Sequence, residues 1–207
     1  MKQISISILF VMLLAVGASA NSYCACCVER GFYSLMRTKP SAYDIGLFDE
    51  MKFNKKADLY MTEAGYDGVK GLPDLQKEIE GDLDVTFEVA GTFLKKAWTM
   101  SLATNTGKKG TMLLPMPRLM TQYKVDTREE EHGDRGLGVS LYKEWKLAGT
   151  VGNATGIFRS AAARTSYMLI FQGRGNGCDS SSDFGHWRLE ITGPKADFTF
   201  LGGLDTQ

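Results

Sequence analysis

The chain has 207 residues, room for one sizeable domain or at most two small ones. Hydrophobic residues make up 43% and charged residues 23%, the balance of a packed globular protein, which excludes disorder as the main state. Lys plus Arg and Asp plus Glu both number 24, so no basic excess is available to hold a phosphate backbone, and nucleic acid is not an expected partner.

Met1 and Lys2 give a short positive start. Ile4 to Val16 is an apolar run broken only by Ser5 and Ser7, and Ala18 and Ala20 are the small residues that signal peptidase accepts. This layout predicts a signal peptide over 1–20 and an exported protein, periplasmic or secreted. The apolar core is short for a spanning anchor, and no later stretch reaches the length of a membrane helix, so the chain is expected not to span a membrane once the signal is removed. An outer-membrane barrel is disfavoured by the shortness of most candidate strands.

Four cysteines follow the signal: Cys24, Cys26, Cys27 and Cys178. An even count in an oxidising compartment predicts structural disulfides. A bond between the adjacent Cys26 and Cys27 requires a strained ring, so Cys178 is expected to pair with Cys26 or Cys27, tying the N-terminal cluster to a late loop. The alternatives are a thiolate-bound metal and a redox pair, since Cys24 and Cys27 have C-x-x-C spacing.

Residues 21–83 read as an irregular, Cys-rich lead-in. Within it, Leu47 to Met61 suggests two short strands about Asn54 to Lys56. Leu72 to Gly81 suggests one short helix, with Pro73 suited to a first helical position, Asp74 at the positive end and Gly81 as a stop. From Asp84 the period changes to two. Val85, Phe87 and Val89, then Trp98, Met100 and Leu102, alternate with polar residues, as half-buried strands do. Thr111 to Leu114 and Leu119 to Val125 are short strands, and Asp126 to Arg135 is a charged loop. Val139, Leu141, Trp145 and Leu147 alternate again, with Lys143 breaking the apolar face. Gly149 to Gly156 reads as a turn before a strand at Ile157 and Phe158. Thr165 to Gln172 is nearly continuous and apolar, which marks a central strand. Trp187, Leu189 and Ile191 alternate, and Asp197 to Leu201 closes the series. The prediction is an all-β fold with one short helix, an antiparallel barrel or two-sheet sandwich of about eight to nine strands, with the β core at 84–204 and 21–207 as one domain. Trp98, Trp145 and Trp187 fall on the apolar phase and are expected in the core.

Candidate chemistry concentrates between Gly173 and His186. Ser181, Asp183 and His186 are the groups of a hydrolytic triad, with Asp179 as a second orienting carboxylate. However, triad groups are normally drawn from separate elements, and no Gly-x-Ser-x-Gly elbow surrounds the serines. Asp179, Ser181 and Asp183 place oxygen donors at alternate positions, like the start of a calcium loop. Phe184 stands where that loop needs glycine, and Glu190, the twelfth residue, falls inside a strand. Gly173 to Gly177 lacks the strand-to-helix setting of a phosphate loop. His132 sits in an acidic stretch and reads as solvated, and Asn153-Ala154-Thr155 is a glycosylation sequon.

With so few catalytic groups, the expected function is a non-enzymatic, disulfide-stabilised binding domain for a small apolar or amphipathic ligand or for a protein partner. The alternatives are a thiol-based metal or redox protein using Cys24, Cys26, Cys27 and Cys178, and a hydrolase using His186 with Asp179 or Asp183.

Overall fold

The period-two segments form strands that assemble into one antiparallel sheet. The computed structural model describes residues 31–60, 86–94, 96–127, 141–162 and 164–205, and the elements below lie within them. In chain order they are β1 (Tyr33–Thr38), α1 (Ala42–Glu50), β2 (Lys52–Tyr60), β3 (Thr86–Leu94), β4 (Ala97–Ala103), β5 (Lys109–Pro115), β6 (Met120–Val125), β7 (Leu141–Thr150), β8 (Asn153–Gly156), β9 (Ser166–Gly175), β10 (Phe184–Gly193) and β11 (Ala196–Asp205). The sheet order is β1-β6-β7-β9-β10-β11-β2-β3-β4-β5-β8. Among the described residues the architecture is therefore all-β, as the alternation predicts, with one short helix, α1, that the sequence reading did not place. It has eleven strands rather than eight to nine, in a single sheet whose hydrogen-bonded ladder is not closed.

The two additional strands come from the lead-in. Tyr33–Thr38 pairs with β6, so this part of the lead-in is regular. Leu47 to Met61 is not two strands but the end of α1 followed by β2 alone. Asn54 to Lys56 are not a turn: they lie opposite Gly203, where the β2–β11 register slips between Gly202 and Leu204. The polar cluster that suggested a reversal marks a bulge, which bends a strand without ending it. Similarly, Gly149 to Gly156 is not one turn. It holds the end of β7 and the short strand β8, while Ile157 and Phe158 turn into a 3-10 segment, Arg159–Ala162. The helix predicted over 72–81 lies outside the described residues.

The sheet is strongly curled. Trp98 on β4 and Phe171 on β9 stand five places apart in the ladder, a separation of about 24 Å in a flat sheet at about 4.8 Å per strand. Their ring centroids are 6.1 Å apart. The concave face is filled by α1, whose Phe48 meets Trp98 at 5.1 Å and Trp145 at 5.4 Å, edge to face, and also packs on Phe93 and Phe171. Ser41 caps this helix: its hydroxyl accepts from the Asp44 amide, and the Asp44 carboxylate accepts from the Ser41 amide at 2.7 Å. The box fixes where the helix starts and aims Leu47 and Phe48 inward. All three tryptophans are buried, in agreement with their apolar phase. β9 is an interior strand of the sheet, with Leu169, Ile170 and Phe171 buried in succession. No helix among the described residues is long and apolar enough to cross a membrane.

Candidate functional site

Along β7 the inward positions are Leu141, Lys143, Trp145 and Leu147, and all four are fully buried. A lysine in that row needs partners, because a buried ammonium without them is costly. Directly across the ladder from Lys143 stands Gly173 on β9, and from Leu141, Gly175. Neither glycine has a side chain to fill the concave face, and the chain returns to use the space. A Cβ on Gly173 would stand 1.8 Å from the carbonyl oxygen of Asp183, and one on Gly175 would stand 2.1 Å from the Asp183 carboxylate. The alternating glycines, which resemble a phosphate loop only in composition, are the seat of the segment 176–183.

That segment is held by charge. Lys143 Nζ is 2.5 Å from Asp183 Oδ2 and 3.1 Å from Asp179 Oδ1, and it donates to the Cys178 carbonyl. Lys124, the β6 residue paired with Lys143, is 2.8 Å from Asp179 Oδ2. Two cations and two carboxylates thus neutralise one another at the edge of the core. Two further hydrogen bonds tie the segment to α1: the Tyr43 hydroxyl donates to the Asp179 carbonyl, and the Ser181 hydroxyl donates to Glu50 Oε2 at 2.8 Å. Asp183 Oδ2 also accepts the Ser180 amide at 3.1 Å.

These contacts place the sequence-predicted site residues. Ser181 is engaged with Glu50 and Asp183 with Lys143, so neither is hydrogen-bonded to His186 as a triad would require. Asp179 and Asp183 do converge, but on the Lys143 ammonium, which stands between the carboxylates where a cation would bind. No cluster of three or more His, Cys, Asp or Glu suited to a metal occurs among the described residues. Cys24, Cys26, Cys27 and His132, and with them the pairing expected for Cys178, lie outside the described residues.

His186 lies on the other face. A bulge at Gly185 separates the pairs Phe184–Gly173 and His186–Gln172, so Phe184 points into the core while His186 is exposed. Such bulges re-aim side chains. Across the outer face, direct pairing places Leu35, Tyr123, Glu144, Gln172 and His186 in one row. Tyr33, Tyr123 and Tyr142 make successive edge-to-face contacts at 5.7 and 6.1 Å. A cavity of about 470 Å³ opens here, lined by Tyr142, Gln172, Arg174, Ser182, Asp183 and His186 among others.

The outer row is internally bonded. The Tyr142 hydroxyl donates to Glu144 Oε2 at 2.6 Å, Gln172 Nε2 donates to the Tyr142 hydroxyl oxygen and to Glu144 Oε2, and Lys146 pairs with Glu144 Oε1 at 2.5 Å. Burial and the neighbouring Glu144 push the Tyr142 phenol up to about 12. For Glu144, burial alone would raise the carboxyl, but hydrogen bonds from Lys146, Tyr142 and Gln172 outweigh it and hold it below the usual range.

Sequence reasoning found Asp179, Asp183 and His186 but missed Lys143, Lys124, Tyr142 and Gln172. The signal for Lys143 was its place on an apolar phase, and the others carried none. Comparison with protein-family models, with curated proteins and with solved structures finds no match to this chain.

Proposed function

We propose that the protein is an exported, non-enzymatic binding domain whose partner docks on the outer face of the curled sheet, and not a carrier of an interior ligand. The single observation that carries this reading is the position of Phe48. Its ring lies among Phe93, Trp98, Trp145 and Phe171, in the space where a barrel-type carrier would hold an apolar ligand. The outer face of β1, by contrast, exposes Tyr33 and Leu35 beside Tyr123, an aromatic and apolar surface of the kind proteins recognise.

In this reading the wall β7-β9-β10-β11-β2-β3-β4-β5 is an eight-stranded open barrel. β8, which follows β7 after two residues and pairs with β5, brings the two ends of the wall together. β1 and β6 extend it as a flap. Cys178 ties the segment 176–183 to the N-terminal cysteine cluster through Cys26 or Cys27, as export favours, and the thiols are structural rather than metal-binding or redox-active. Asp179, Asp183 and His186 are read as non-catalytic.

The test pairs two measurements. Long-chain fatty acids and an environment-sensitive apolar dye are titrated while tryptophan emission is followed. A Tyr33→Lys, Leu35→Lys variant is then compared with the wild type for cross-linking to proteins of the native exported fraction. Absence of saturable quenching, with a discrete cross-linked product that disappears in the folded variant, supports the reading. Saturable one-to-one quenching by an apolar ligand, unchanged in the variant, overturns it.

A further inference from the structure

We propose that Lys143 and Asp183 condense into an intramolecular isopeptide bond, with Asp179 as the proton shuttle. Three features place the reacting groups. Lys143 is fully buried between Leu141 and Trp145, so bulk water does not compete for its nitrogen. Nζ lies 2.5 Å from Asp183 Oδ2, and since a carbon–oxygen bond adds about 1.2 Å, the carboxyl carbon is at most about 3.7 Å away, close to the range of a near-attack arrangement. The glycine seat at 173 and 175 holds Asp183 from beneath, so the approach is built into the backbone and does not depend on a side-chain rotamer alone.

A third group is poised on the same nitrogen. Asp179 Oδ1 stands 3.1 Å from Nζ, yet it is buried and takes no hydrogen bond. The other oxygen of Asp179 is held by Lys124 at 2.8 Å. An ion pair made only for stability would be expected to align both oxygens with donors. A carboxylate with one anchored oxygen and one open oxygen facing the amine suits proton transfer.

The chemistry balances without any co-reactant. Proton transfer across the Lys143–Asp183 contact turns ammonium and carboxylate into amine and acid. Nζ attacks the Asp183 carboxyl carbon, and the new carbon–nitrogen bond gives a tetrahedral centre. Asp179 takes a proton from the nitrogen and passes it to the departing hydroxyl. One carbon–oxygen bond breaks, one water leaves, and the amide keeps a single N–H. No atom is oxidised or reduced. Fixed geometry supplies the driving proximity, equivalent to effective concentrations of about 10⁵–10⁸ M in well-oriented intramolecular reactions. The product closes a covalent ring from β7 to the segment 176–183 and locks that segment against the sheet.

Mass spectrometry of the full chain, reduced and denatured, tests the proposal. Trypsin cleaves after Arg135, Lys146, Arg174 and Arg188 but not at an acylated Lys143. The expected product is peptide 136–146 joined to peptide 175–188, lighter than their sum by one water, with fragment ions crossing the junction. In Lys143→Arg and Asp183→Ala trypsin should cut after residue 143, giving peptides 136–143 and 144–146, and peptide 175–188 should appear unlinked. In Asp179→Ala, with both reacting groups present, linkage during refolding should slow by about a hundredfold, the usual scale of general acid–base assistance. Wild-type protein held folded for days that still releases an unmodified Asp183 and is still cut after Lys143 would overturn the bond. Loss of water confined to peptide 175–188 would also overturn it, as dehydration within that peptide. Unchanged linkage in a folded Asp179→Ala would overturn the shuttle.

Discussion

Lys143 on β7 faces Gly173 on β9 directly across the ladder, and the absent side chain of the glycine is what allows Asp183 to reach the lysine. The close atoms over Gly173 are backbone atoms of Asp183 and Phe184, which cannot rotate away. Gly173→Ala is therefore expected to lift the segment 176–183 and destabilise the fold by about 1–3 kcal/mol or more, as overpacking does. A urea midpoint unchanged from the wild type would show that the seat yields.

In the ion-paired state seen in this structure, removing the central cation should be worse. Lys143→Met leaves two carboxylates at the edge of the core without their shared ammonium, and breaking a buried pair costs about 3–5 kcal/mol. Lys124→Met should cost less, because Lys124 is partly exposed and its ion-pair partner Asp179 keeps its contact with Lys143. Denaturant titration of the two variants checks the order, and equal losses would refute the central place of Lys143.

The core was legible in the sequence wherever one face met water and the other did not. Phe87 and Val89, Trp98 to Leu102, and Trp187 to Ile191 alternate cleanly because each lies on a strand with one solvated side. α1 was not legible, since Gly46 and Asp49 interrupt its apolar side and only Leu47 and Phe48 among its apolar residues are buried. Its start was nonetheless written in Ser41 and Asp44, a capping-box spacing. The site was half legible. Asp179 and Asp183 stood out by composition, but their partners arrive from β6 and β7, 55 and 40 residues away, and no local pattern reports a cross-strand neighbour. The glycines of β9 were visible yet ambiguous, because a loop that binds phosphate and a seat for a returning segment need the same missing side chain.

Phe48 is the helix residue with most to lose. It meets four aromatic rings and is 1% exposed, so Phe48→Ala should cost about 3–5 kcal/mol. The cavity would open beside Trp98 and Trp145. The variant should bind an apolar dye that the wild type does not, a change readable as tryptophan quenching. A dye bound equally by both proteins would mean the interior was never closed.

Stability should fall at both ends of the pH range through one cluster. Glu144 is held below its usual value of 4.5 in the folded chain. Its contribution is therefore present above the unfolded value and lost as pH falls through the folded one. Tyr142 is raised from 10.0 to about 12, so its contribution is full below 10 and lost as pH rises towards 12. Tyr167, pushed up by burial, acts in the same alkaline direction. Thermal unfolding should show Glu144→Gln losing less stability than the wild type on acidification, and Tyr142→Phe losing less between pH 10 and 12. Parallel curves for wild type and variants would assign the pH dependence to other groups.

Cys178 joins the charge network to the proposed N-terminal tie. Its carbonyl accepts from Lys143 and its amide donates to Asn176 Oδ1 at 3.2 Å, so the residue is fixed at the middle of the segment that carries Asp179 and Asp183. A disulfide from there to Cys26 or Cys27 closes a loop of roughly 150 residues, worth about 4–5 kcal/mol in the chain-entropy model before strain. Cys178→Ser is expected to cost about 2–5 kcal/mol under oxidising conditions and to matter little once the wild type is reduced. The lysine contacts are made to main-chain and carboxylate atoms that the substitution keeps, so the loss should appear in stability while the segment remains seated. Limited proteolysis separates the two effects. Cleavage near the N-terminus should quicken in Cys178→Ser, whereas cleavage between 176 and 183 should quicken only when Lys143 is also replaced. Equal thermal stability of oxidised wild type and Cys178→Ser would show that the covalent tie contributes nothing to the fold.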